Sequence, residues 1–219
     1  MTRNQQWDGS SGIDALSWGY AEDYVEPSDE LRQATLAGSD LGVETLSNGV
    51  TTALTFLATA IRAKHVVQVG TGSGSAGLAL FAGMTHDGII TSIDTEGDRQ
   101  SAARQVFTSA KIASNRFRLI AGVPLEVLPK LRDGAYDLVF IDGDKLEYVE
   151  YVAQALRLLR HGGMVVVNDA LWRGLVAHSS NEDDETVIIR EALASVLDTE
   201  EFTPVLLPVG GGLLAAIKA

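Results

Sequence analysis

The chain reads as an α/β protein built on a parallel sheet, and two observations carry that reading. Short runs of β-branched and aliphatic residues, Val66–Val69, Ile89–Ile93, Phe117–Ala121, Leu138–Ile141 and Met164–Val167, alternate with stretches long enough to be crossover helices. Near the C-terminus, Phe202–Leu207 and Leu213–Lys218 flank Pro208-Val-Gly-Gly-Gly212, a turn-rich link too short for a parallel crossover. Those last two strands are therefore expected to pair antiparallel.

Taken in order, Met1 to Gly12 is polar and holds no apolar stretch that could serve as a signal peptide or reach the ~20 residues of a membrane span. Residues 1–27 are expected to form an irregular arm carrying Trp7 and Trp18, and residues 28–219 a single domain. A helix is expected over Ser28–Ser39, with Ser28 as N-cap, the acidic Asp29 and Glu30 in its first turn and Gly42 as its stop. A second should run from Asn48 or Gly49 to Ala63. The clearest helical pattern is Leu146–Arg160, where Leu146, Val149, Val152, Leu156 and Leu159 recur at three- and four-residue intervals and would face the sheet. Gly162-Gly163 would end it, and a last helix should cover Asp184–Leu197.

Composition narrows the function. Lys and Arg number 17 against 29 Asp and Glu, a formal charge of −12, which opposes attraction to nucleic acid or an anionic membrane surface. At 46% hydrophobic and 21% charged residues the chain is an ordinary globular protein, expected to be cytoplasmic. With no cysteine, a disulfide scaffold, a thiolate zinc site and a cysteine nucleophile are all excluded.

Parallel α/β sheets bind ligands beyond the carboxyl ends of their strands, so the residues after each strand are the ones to read for chemistry. After the first strand comes Gly70-Thr-Gly-Ser-Gly74, whose glycines allow a tight turn and a close approach of ligand to backbone. Asp94 ends the second strand, a natural place for a carboxylate that holds a ribose diol. Gly72-Ser-Gly-Ser-Ala-Gly77 also satisfies the dinucleotide pattern G-x-G-x-x-G, but begins two residues too late for the strand end. Either way an adenosine-containing cofactor is expected.

The fourth strand runs into Asp142-Gly-Asp144-Lys145 and the fifth into Asn168-Asp169-Ala-Leu-Trp172. Asp142, Asn168 and Asp169 offer hard oxygens of the kind Mg²⁺ takes, leaving about three of six positions for water and a bidentate substrate. A solvated loop and an ordinary strand-end turn are the plainer readings of the same residues. Lys145 sits where its charge opposes a helix dipole and so needs another justification. His65, His86, His161 and His178 show no paired ligand spacing, and Glu182-Asp-Asp-Glu185 reads as a solvated acidic helix start.

In combination these segments resemble the metal-dependent O-methyltransferases of the caffeoyl-CoA and catechol type, in particular their bacterial members, over roughly Leu31 to the C-terminus. That family's S-adenosylmethionine loop, an acidic residue, an apolar one and a glycine-rich turn, corresponds to Gln68-Val-Gly70-Thr-Gly72-Ser-Gly74, with Gln68 in place of the acid. Its ribose-binding acid falls on Asp94, its D-x-x-K motif on Asp142 to Lys145, and the following K-x-x-Y tyrosine on Tyr148. Its second metal segment, Asp-Asn-x-x-Trp, is here Asn168-Asp169-Ala-Leu-Trp172, so acid and amide have exchanged places.

The resemblance implies a Rossmann-like, seven-stranded sheet with its last strand inserted antiparallel and helices on both faces. It implies a donor held by Gln68, Gly70, Gly72, Gly74, Ser75, Asp94 and Asp142, a divalent metal on Asp142, Asn168 and Asp169, and Asp142 and Lys145 as catalytic residues, Lys145 as general base. The acceptor would be a small phenolic or catechol-like molecule, and family members often form homodimers. A nicotinamide-dependent oxidoreductase is the alternative enzyme, but no tyrosine is followed four residues later by lysine. A donor-binding module with a decayed metal site is the non-enzymatic alternative.

Overall fold

The computed structural model describes residues 14–40 and 42–219, so Trp7 and the polar opening lie outside the described residues. In chain order the elements are α1 (Ala15–Glu22), α2 (Asp29–Asp40), α3 (Asn48–Ala60), β1 (His65–Val69), α4 (Ser75–Gly83), β2 (Ile89–Asp94), α5 (Gly97–Ser109) and β3 (Phe117–Ala121). They continue with α6 (Pro124–Val127), β4 (Tyr136–Ile141), α7 (Tyr148–Leu158), β5 (Leu159–Val167), α8 (Asp184–Asp198), β6 (Phe202–Leu207) and β7 (Leu213–Lys218).

The strands form one seven-stranded sheet in the order β3-β2-β1-β4-β5-β7-β6. β1 pairs in parallel with β2 and β4, β2 with β3, and β4 with β5. β7 is inserted antiparallel between β5 and β6. This is the Rossmann-like architecture expected from the sequence, including its antiparallel last strand.

Both faces of the sheet are covered, which is why its central strands are mostly apolar rather than alternating. Val66, Leu138, Phe140 and Val166 face one core with Leu54, Leu80, Phe81 and Phe107 of the α3–α5 layer. Val67, Val69, Val139 and Val167 face the other, with Tyr148, Tyr151, Leu158, Ile189 and Val196 of α7 and α8. Neighbouring residues of β1 thus enter opposite cores, as the strand period of two dictates. No helix of the described residues is long and apolar enough to cross a membrane.

Four local expectations are corrected. Ala15–Glu22 is a helix, not irregular chain, because Asp14 caps it by accepting the amide of Ser17 at 2.8 Å. α3 stops at Ala60 rather than Ala63, since Arg62 turns into the left-handed region at φ +52°. Leu146 is exposed; the buried stripe of α7 is Tyr148, Tyr151, Val152, Ala155 and Leu158, because two tyrosines that an aliphatic count overlooks carry the packing. That helix ends at Leu158, where Leu159 turns extended, and Gly162-Gly163 lies inside β5.

Candidate active site

The chain leaves β1 through a turn in which Gly70, Gly72 and Gly74 all have positive φ, at +86°, +53° and +91°. A side chain at Gly70 would strike the carbonyl oxygen of Asp142, so the β1 and β4 ends come together only because residue 70 has no Cβ. Gly74 precedes the first residue of α4 and lies against Ala103. Gly77 falls inside α4 facing the Phe107 ring, so the dinucleotide-like match is a helix-packing glycine and not a phosphate turn.

Two side chains hold this turn from beneath. Asp94, only 4% exposed, accepts the amides of Thr71 at 2.8 Å and Gly72 at 3.2 Å on Oδ2. Its Oδ1 accepts the Glu96 amide at 3.0 Å and lies 3.6 Å from the Arg99 guanidinium. Fully buried Gln68 donates from Nε2 to the carbonyls of Gly70 at 2.9 Å and Thr71 at 3.5 Å. Gln68 therefore shapes the turn without bordering the cavity above it.

That cavity has a volume of about 430 Å³, within the range of small-molecule sites. Gly70, Gly72, Ser75, Asp94, Asp142, Lys145, Asn168 and Asp169 border it together, whereas Gln68 and Gly74 lie behind it. A second recess shares Gly70, Asp94 and Asp142 and opens toward Val123 and Pro124, so Asp94 stands at a junction of two hollows.

On the wall of the same cavity Lys145 Nζ lies 3.0 Å from Asp169 Oδ2 and 3.4 Å from Asp142 Oδ1. The same nitrogen sits 5.0 Å from the Tyr148 ring centroid and 5.8 Å from that of Trp172, over both aromatic faces. Asn168 Nδ2 donates to Asp142 Oδ1 at 2.9 Å, while Asn168 Oδ1 is buried without a partner among the described residues. Burial pushes the Asp142 carboxyl above its ordinary range and Asp169 adds to that, against the opposing pull of Lys145 and Asn168.

Asp169 opens a strained turn: its φ of +53° is one that a short polar residue tolerates, but the bulky Trp172 and Arg173 follow at +40° and +54°, and Gly174 at +80°. Backbone bonds from Ala170 and Leu171 to the carbonyls of Gly212 and Gly211, each 2.9 Å, tie this turn to the β6–β7 hairpin. Asp169 Oδ1 stands so close to Gly211 that any side chain there would collide with it.

The expected metal set is thus gathered at one sheet edge, but around an ammonium. A divalent ion needs oxygens at roughly 2.0–2.6 Å converging on one point. Here Lys145 lies between the two carboxylates, and Asn168 presents an N–H, not an oxygen, to Asp142. As they stand, these residues do not fit a divalent ion.

Sequence reasoning missed several residues of the cavity wall. The 43–47 segment, Arg99, Arg173 and the Gly210-Gly211 turn all border it. Of these only the hairpin glycines left a signal, as a turn. Glu22, which the irregular-arm reading passed over, accepts the amide of Gly49 at 3.0 Å and that of Gly210 at 2.6 Å, fastening α1 to α3 and the hairpin.

Comparison with known proteins bears on the family and the fold. A family model described as O-methyltransferase matches residues 21–219. A Mycobacterium tuberculosis relative named as an O-methyltransferase is 40% identical over 201 residues, covering 92% of this chain and 90% of its own. A Corynebacterium glutamicum crystal structure superposes with a TM-score of 0.87 at 27% identity, over 94% of this chain and 98% of that one. The O-methyltransferase TomG of Streptomyces achromogenes, solved in complex with S-adenosylmethionine, shares the fold at a TM-score of 0.84 and 22% identity over the full length of both chains. The chain belongs to the O-methyltransferase family.

Proposed function

We propose that the chain transfers the methyl group of S-adenosylmethionine to a hydroxyl of a small phenolic or catechol-like acceptor. One observation carries the reading: Lys145, held by Asp142 and Asp169, faces the same cavity as the glycine turn and Asp94. The donor would lie along Gly70–Gly74 with its ribose at Asp94, extending into the two hollows that meet there. TomG, of the same fold, was solved with this donor.

In the transfer the acceptor oxygen forms a bond to the methyl carbon as the carbon–sulfur bond breaks, and its electron pair returns to sulfur, leaving a neutral thioether. Lys145 Nζ first passes a proton to Asp169 Oδ2, 3.0 Å away, and the amine so formed takes the acceptor's proton as general base. The ammonium so restored stabilises the oxygen's developing negative charge. The remaining contribution is positioning and exclusion of water. No step uses a metal, because Asp142, Asn168 and Asp169 do not fit one as they stand.

Methyl transfer from labelled S-adenosylmethionine to a panel of phenols and dihydroxyphenols tests this. Labelled product is expected; donor binding with no product on any hydroxylated aromatic would favour the non-catalytic donor-binding reading instead. We further propose that residues 28–219 form the catalytic domain and that two copies pair through the α1–α3 side, where Leu16, Tyr20, Leu36 and Phe56 are exposed.

A further inference from the structure

We propose that the Lys145 ammonium is the resident cation of this centre, standing in for a divalent ion, so that an acceptor needs only one hydroxyl and not a vicinal pair. The inference rests on the methyl-transfer reading and adds the substrate class to it.

The order of Asn168 and Asp169 decides which cation the site takes. Residue 168 is fixed at the end of β5, its amide bonded to the Ile141 carbonyl at 2.9 Å and its carbonyl accepting the Tyr148 hydroxyl at 3.1 Å. Its side chain meets Asp142 Oδ1 at 2.9 Å. A carboxylate at 168 would face Asp142 oxygen against oxygen, a repulsion that a bound cation or a shared proton must relieve. With asparagine there, an N–H takes that place, and turning the amide over would set oxygen against oxygen.

The exchange supplies the other half at 169. That side chain points to Lys145, where an amide would give the ammonium a neutral partner and aspartate gives it a second carboxylate. Two carboxylates and two aromatic faces then enclose the ammonium, leaving the Lys145 side chain only 14% exposed. A divalent ion chelates neighbouring oxygens and so selects a vicinal diol. Of this ammonium's three N–H groups two face Asp142 and Asp169, leaving one for the acceptor, which imposes no such demand.

The test compares the native chain with Asn168→Asp/Asp169→Asn and Lys145→Met, using Mn²⁺ as probe. Binding is read from loss of the free-ion paramagnetic resonance signal and from Mn²⁺-dependent shifts in melting temperature, neither of which needs activity. The native chain is expected to leave the signal intact at equimolar Mn²⁺, while each variant gains at least about tenfold in Mn²⁺ affinity. Native transfer should persist in EDTA and treat single phenols within about tenfold of matched catechols.

Stoichiometric Mn²⁺ binding by the native chain would overturn the proposal, as would loss of transfer in EDTA restored by Mg²⁺, or reaction of catechols alone. If no acceptor is methylated, the methyl-transfer reading fails separately, and the native Mn²⁺ measurement still decides which cation the site holds. That measurement also decides it should either variant fail to fold.

Discussion

The Asp94 carboxylate accepts the Thr71 amide at 2.8 Å, joining the end of β2 to the turn that leaves β1. With the Gly72 amide on the same oxygen, Asp94 both shapes the donor turn and stands at the expected ribose position. Asp94→Ala should therefore weaken S-adenosylmethionine binding by at least tenfold, on the order of the 1.5–3 kcal/mol of a hydrogen bond to a charged group. Calorimetric titration reads it, and unchanged affinity would remove Asp94 from the donor site.

Lys145→Ala separates chemistry from donor binding. Its ammonium touches Asp142 and Asp169 and none of the glycine turn, so donor affinity should stay within about threefold while kcat falls by about 10²-fold or more, as loss of a general base predicts. Equal losses of affinity and turnover would show that Lys145 works through the donor instead.

Gly70→Ala should abolish folding or donor binding, because residue 70 combines φ +86° with a Cβ direction aimed at the Asp142 carbonyl. Gly72 makes the contrasting control: its φ is +53° but a Cβ there meets only Val43 at 3.4 Å, an ordinary contact. Alanine at 72 is expected to cost about 1–2 kcal/mol for the left-handed backbone alone. Thermal melts of the two variants give the comparison.

The strands, the sheet direction and the strand-end residues were legible because buried parallel strands leave continuous apolar runs and their carboxyl ends collect polar residues. The order of Asn168 and Asp169 was legible too, but not its consequence, which depends on a left-handed φ at 169 that no local pattern announces. The motif makes Gln68 a donor contact, but burial beneath the turn makes it a backbone support. Leu146 and Tyr148 exchanged places for a related reason, since a tyrosine can be wholly buried once Asn168 accepts its hydroxyl. The 43–47 segment and Arg173 reach the cavity by tertiary folding alone and leave no trace in spacing.

Gln68→Glu tests that support role directly. The amide donates to two carbonyls, and a carboxylate at the same place would set its lone pairs against theirs in a fully buried site. A loss of about 1–3 kcal/mol at pH 7 is expected, shrinking in acid as a protonated glutamic acid regains a donor. A melting temperature independent of this substitution would mean the turn does not need the amide.

Asp137 supplies a pH-dependent stability unrelated to catalysis. Burial pushes its carboxyl up, but the amides of His65 at 2.7 Å and Lys64 at 2.9 Å, with Arg160 at 2.6 Å, outweigh that and hold it below the usual aspartate range. A folded-state value below the unfolded value of about 3.9 means the stabilisation is fully present above pH 4 or so and is lost as pH falls through the lower folded value. Asp137→Asn should therefore melt lower than the native chain at pH 7, by on the order of 2 kcal/mol. The gap should narrow only below about pH 4, where the unfolded chain's carboxyl takes up its proton, and go on narrowing until the pH has fallen through the lower folded value. Denaturant unfolding of both chains from pH 7 down to pH 3 measures it, and a gap that stays constant across that range would show that the ionised form of Asp137 contributes nothing.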